Sequence, residues 1–147
     1  MRKLFFILIL AAAGYFGLIQ YRQTSGESRE LPVHESVDGS AFTRALESRA
    51  SGVQLQDQGA VIKVLPDDND GSRHQKFILK LRSGQTVLIA HNIDIASRIG
   101  SLRMGDDVAF NGEYEWNSQG GVIHWTHRDP GGRHKAGWLK HGGQTYQ

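Results

Sequence analysis

From Val53 onward the apolar residues of this 147-residue chain recur at every second position, and that period constrains the fold more than any other feature. A period of two sends alternate side chains to opposite faces of a strand. Five segments qualify as strands: Gly59–Leu65, His74–Leu81, Gln85–His91, Asp107–Trp116 and Val122–Arg128. Turn chemistry separates them, in Pro66-Asp-Asp-Asn-Asp-Gly-Ser, Arg82-Ser-Gly and Asn117-Ser-Gln-Gly-Gly. Between the third and fourth strands, Asn92 or Asp94 can cap a short helix with Ile95, Ile99 and Leu102 on one stripe. Five strands with one helix after the third is the element order of an OB-type Greek-key barrel, and closing a barrel removes exposed sheet edges. The expectation is a mainly β, five-stranded OB-like Greek-key barrel. A two-sheet sandwich of the same elements is the structural rival.

The chain ahead of the barrel reads differently. From Leu4 to Tyr21 there is no charge across 18 residues, and a spanning helix wants roughly 20 apolar residues. Ala11-Ala12-Ala13 also offers a small-residue cleavage site, although the apolar run continues through Phe16, Leu18 and Ile19. Residues 1–21 are therefore expected to be a signal anchor or a signal peptide. Residues 22–37 form a polar linker. Residues 38–147 carry the barrel, with an N-terminal helix and a C-terminal tail. That helix is expected over Ser40–Ala50, with Asp38 or Ser40 as cap, Gly52 as stop, and Phe42, Ala45 and Leu46 as its apolar stripe. Arg2 and Lys3 keep the start of the chain in the cytoplasm. The rest of the chain is then exported, either anchored at the membrane or released after cleavage.

Charge and cysteine content exclude some classes. The net charge is +2, but Arg2, Lys3 and Arg22 flank the apolar run, and without them 14 basic residues face 15 acidic ones. A nucleic-acid binder usually shows a concentrated basic face, so domain charge disfavours nucleic acid as a partner. One local exception is the end of the chain, where Arg128, Arg133, Lys135 and Lys140 stand against Asp129 alone. Cysteine is absent, which excludes thiolate zinc sites and thiol chemistry. No P-loop, nucleophile elbow, dinucleotide fingerprint or His-Glu-x-x-His motif occurs.

Alternation sorts the candidate site residues. On the second strand Phe77, Leu79 and Leu81 share the core face, and His74, Lys76 and Lys80 face outward. On the fourth, Val108, Phe110, Tyr114 and Trp116 oppose Asn111, Glu113 and Glu115. On the fifth, Ile123, Trp125 and His127 oppose His124, Thr126 and Arg128. His124 and His127 then point apart, and they can converge only across a bulge or where the strand ends. His127 near Asp129 suggests a carboxylate that sets the imidazole tautomer, so His124, His127 and Asp129 are the candidate catalytic groups. Asp67, Asp68 and Asp70 form an acidic turn that fails the EF-hand spacing. The turn is either simply solvated or, with Glu113 or Glu115, a site for a divalent metal ion, the one cofactor the residues suggest. His91 ends the third strand, close to the loops that OB-type barrels use for ligands.

The runs Leu65-Pro-Asp-Asp, Ser72-Arg-His-Gln-Lys-Phe, His91-Asn-Ile-Asp, Gly112-Glu-Tyr-Glu-Trp and Gly120-Gly-Val-Ile-His-Trp-Thr-His-Arg-Asp-Pro resemble a family of small bacterial proteins defined only as a domain of unknown function. The resemblance runs from Val53 to Gln147, and the last motif is the most specific. It implies a bacterial, membrane-anchored or secreted protein and carries no activity with it.

The leading functional expectation is an exported binding module for a polar or anionic ligand: a nucleotide, single-stranded nucleic acid or a saccharide. Arg73, His74, Lys76, His91, His124, Arg128, Arg133 and His134 would supply donors, and Trp116 or Trp125 a stacking surface. The alternative is a metal-assisted phosphodiesterase or nuclease-like hydrolase, with His124 or His127 as base and Asp67, Asp68 or Glu113 on the metal. A third reading is an envelope module whose histidine-rich face meets a protein partner.

Overall fold

The computed structural model describes residues 39–147. The expected membrane segment and linker lie outside the described residues, among which no helix is long and apolar enough to cross a membrane. One helix, α1 (Gly39–Glu47), precedes seven strands: β1 (Val53–Val64), β2 (His74–Leu81), β3 (Thr86–Asn92), β4 (Asp107–Glu115), β5 (Val122–His124), β6 (Trp138–His141) and β7 (Gln144–Tyr146).

The first five strands close into a barrel. β1 pairs antiparallel with both β2 and β4, β2 with β3, and β4 with β5, while β3 and β5 run parallel. The ring order is β1-β2-β3-β5-β4 and back to β1, which rules out two separate sheets. β1 can serve two partners because it is long and bends. Val53–Ala60 faces β4, Gly59–Val64 faces β2, and the register slips between Val61 and Lys63. Gly59 sits at the changeover, where an added Cβ would lie 2.5 Å from the Lys80 carbonyl oxygen. The expected first strand began only at this glycine. Its front half, Val-Gln-Leu-Gln-Asp-Gln, has the right period but little apolar signal.

The core follows the alternation. Phe77, Leu79, Val87, Ile89, Val108, Phe110, Tyr114 and Ile123 are all buried inside the ring. Each contributes about 1.5–3 kcal/mol relative to exposure. The stripe on α1 packs on the same core through Phe42 and Ala45, and the Phe42 ring meets Tyr114 edge-on at 5.2 Å. The tail supplies a hairpin that the pattern did not reveal. β6 pairs with β4, turns at Gly142-Gly143 and pairs with β7, which buries Leu139 completely.

Two expectations are corrected. First, the segment between β3 and β4 forms turns, not a helix. Side chains take the backbone groups a helix would need. Asn92 Oδ1 accepts the Asp94 N–H at 2.9 Å. The Asp94 carboxylate accepts the Arg73 backbone N–H at 2.8 Å and its Nε–H at 2.7 Å, which ties the loop to β2. The buried amide of Gln75 accepts from Ile99 N at 2.9 Å and donates to Ile99 O at 3.0 Å. Gln75→Leu should therefore orphan both groups and cost about 2–4 kcal/mol. A urea unfolding midpoint equal to that of the parent chain would show that the loop finds other partners.

Second, the fifth strand ends at His124 and does not run on to Arg128. Trp125 adopts a left-handed backbone with φ of 52°, a conformation rare for a bulky residue, which breaks the pleat. Alternation fails beyond it: Thr126, expected on the outer face, is buried next to His127, and Trp125, expected in the core, is half-buried.

Candidate functional site

The break at Trp125 creates the site. A cleft of about 340 Å³ opens beside the ends of β2, β3 and β5, and its walls include His74, Asn92, His124, Trp125 and His127. His74 opens β2 opposite Asn92 of β3. His124 closes β5. The left-handed residue then turns the chain so that His127 comes back to the same cleft, although a regular strand would have sent the two histidines to opposite faces.

Two glycines make room for this turn. A Cβ on Gly112 would stand 2.5 Å from the His124 carbonyl oxygen. One on Gly137 would overlap the Trp125 carbonyl oxygen and stand 2.5 Å from the Asn111 carbonyl oxygen. Gly137 N–H also donates to the His127 carbonyl at 2.9 Å.

Hydrogen bonds orient the imidazoles. His74 Nδ1 is 2.7 Å from the Ser72 carbonyl and His127 Nδ1 is 2.8 Å from the Arg128 carbonyl. A carbonyl only accepts, so Nδ1 carries hydrogen in both, and each ring keeps Nε2 as its second nitrogen. His91 lies behind the cleft wall and is completely buried. Its Nε2 donates to the Ser97 carbonyl at 3.2 Å, which leaves Nδ1 to accept from the Thr126 hydroxyl at 2.8 Å. Burial pushes the His91 pKa down to about 4, and the charges of His127 and His74 push the same way. Burial also lowers the pKa of His124, against the opposing pull of Glu113 and Glu115.

The loop after the cleft is built by Asp129. Its carboxylate accepts the backbone N–H of Gly131, Arg133 and His134 at 2.8, 2.7 and 3.0 Å. These bonds hold its pKa below the usual carboxylate range. The fold brings His134 back onto Trp125, with ring centroids 3.7 Å apart and planes 12° from parallel. Asp129 thus spends its acceptors on its own loop, not on His127.

The remaining sequence candidates are distributed around this centre. Arg73 is committed to Asp94, Lys76 lies 3.5 Å from Asp68, and Asp67 pairs with Arg98. Asp68 also accepts the Asp70 N–H at 3.2 Å, so the acidic turn closes on itself and on nearby cations. Arg128 and Arg133 are exposed. Glu113 instead faces His124 across the β4–β5 pair, with Glu115 two residues on. Glu113 Oε1 is 3.7 Å and Glu115 Oε1 is 4.0 Å from His124 Nε2, and Glu113 Oε2 is 3.5 Å from His134 Nδ1. Gly112, Gly137 and Thr126 were missed as positioning residues. The available signal was a glycine in the middle of an otherwise alternating strand.

With this geometry in place, the comparison with known proteins is short. The chain belongs to the family described as protein of unknown function (DUF3465), which matches residues 29–147. No curated protein matches it.

Proposed function

We propose that this DUF3465 chain is an exported binding module that holds a polar, anionic ligand in the cleft beside β2, β3 and β5. The carrying observation is the convergence of His74, His124, His127 and Trp125, drawn from two strand ends and a turn, on one concavity. The ring order β1-β2-β3-β5-β4 matches an OB-type Greek-key barrel, a fold that binds ligands on its second and third strands and the loops around them. His74 and His127, each with Nδ1 anchored to a backbone carbonyl, keep Nε2 for a polar group of the ligand. Trp125, braced by His134, suits stacking on a base or sugar ring. The volume lies at the small end of ligand pockets, which run from about 300 Å³. With the near-neutral charge of the domain, this favours a nucleotide or saccharide unit over extended nucleic acid. Residues 4–21 would anchor the module in the inner membrane with the barrel in the periplasm, or release it if the signal is cleaved.

Calorimetry on the full-length chain in mild detergent, with nucleotides, short oligonucleotides and glycans, tests this reading. Trp125→Ala should weaken the successful ligand by about 10-fold or more, the equivalent of one lost stacking contact. If no member of the panel binds, the reading fails. A metal-assisted hydrolase is the second reading, favoured by the carboxylates that border His124. A nuclease signal abolished by EDTA would support it.

A further inference from the structure

The acidic turn has its carboxylates taken up by Arg98, Lys76 and the Asp70 N–H, and a cluster on the β4–β5 pair is better placed to hold a metal. Glu113, Glu115 and His124 project from adjacent antiparallel strands on the outer face of the barrel. One ligand atom from each lies within 4.8 Å of the others. The burial of His124 Nε2 is decisive. That atom is almost wholly covered although the side chain is one-third exposed, it has no hydrogen-bond partner, and it faces two carboxylate oxygens. Among the described residues no lysine or arginine lies within ion-pair distance of either glutamate. Two carboxylates and an orphaned nitrogen are costly together, and one cation resolves all three.

Both glutamates are also held in place. Gly52 N–H donates to Glu115 Oε1 at 3.1 Å. The second oxygen of Glu113 meets His134 Nδ1 at 3.5 Å. Support of this kind is what metal-binding carboxylates receive from their neighbours.

We infer that Glu113, Glu115 and His124 form a site for a divalent transition metal ion, with His134 orienting Glu113. The imidazole nitrogen selects a borderline ion such as Zn²⁺ over the oxygen-seeking Mg²⁺ and Ca²⁺. Tetrahedral zinc with bonds of about 2.0–2.2 Å spaces its ligand atoms roughly 3.4 Å apart. The observed 3.7 and 4.0 Å therefore need only a small contraction. His124 also borders the neighbouring cleft, but the metal is read out with no cleft ligand present.

Calorimetric titration of the full-length, EDTA-stripped chain in detergent with Zn²⁺, and separately with Mg²⁺, tests the inference without any organic ligand. One equivalent of Zn²⁺ should bind. Glu113→Gln and His124→Gln should each weaken it roughly 100-fold or more, and His134→Ala about 10-fold. Asp70→Asn, in the acidic turn, should leave the affinity unchanged. Far-UV circular dichroism confirms that each variant is folded. If a variant does not fold, the imidazole nitrogen resonances of the parent chain give the same answer, because Zn²⁺ must shift His124 Nε2. The inference is overturned by three outcomes: no Zn²⁺ binding at millimolar concentration, Zn²⁺ binding that survives Glu113→Gln and His124→Gln, or Mg²⁺ binding as tight as Zn²⁺ binding.

Discussion

Gly137→Ala is expected to destabilise the chain by about 3 kcal/mol, because the added carbon must displace two backbone carbonyls where a core normally tolerates no extra atom. The carbonyl oxygens of Trp125 and Asn111 both occupy the space, and Gly137 is buried. Backbone cannot swing aside as a flexible side chain does, so the relaxation must move β6 away from β4 or push the Trp125 turn into the cleft. Gly112→Ala attacks the same turn from its other side, through the His124 carbonyl. Gly100→Ala is the control, since nothing lies within 4 Å of its added carbon. It should stay within about 0.5 kcal/mol of the parent. Urea unfolding followed by tryptophan emission reads all three. A parent-like midpoint for Gly137→Ala would mean that the 124–126 turn is not wedged against β4.

Acidification from pH 7 to pH 4 should remove about 3 kcal/mol of stability through His91. When unfolded, this histidine takes up a proton near its ordinary 6.5; in the folded chain burial holds it neutral down to about 4. Between those values the unfolded chain binds more protons, so stability falls as pH falls. The contribution is fully present above 6.5 and is lost on the way down to 4, at about 1.4 kcal/mol per pH unit. The depressed carboxylates Asp68, Asp94, Asp106 and Asp129 begin from an ordinary value of 3.8, so they act mainly below this window. His124 acts in the same direction as His91, but its side chain is one-third exposed and screened. His91→Gln should therefore flatten most of the slope between pH 6.5 and 4 in a series of urea titrations. An unchanged slope would remove His91 as its source.

Much of the barrel could be read along the chain because strand faces are a local property. Phe77, Leu79, Val108 and Phe110 are where alternation puts them, and Glu113 and His124 do face outward. The misreadings share one origin: groups distant in sequence outbid the local pattern. Gln75 captures both backbone groups of Ile99, and the stripe Ile95, Ile99, Leu102 never becomes a helix. Gly137 and Gly112 admit a turn at Trp125, so His127 reaches the cleft that alternation denies it. Asp129 turns its carboxylate to its own loop, so the expected Asp–His pair does not form.

The period of two was enough to specify a mainly β domain after the apolar N-terminal run, and alternation was enough to put Glu113 and His124 on its outer face. Closure of the ring, the meeting of His74 with His124 and His127, and the pairing of Glu113 with His124 required the assembled barrel. Each depends on which strands become neighbours, and that choice is made by burying the whole core at once rather than by any segment alone.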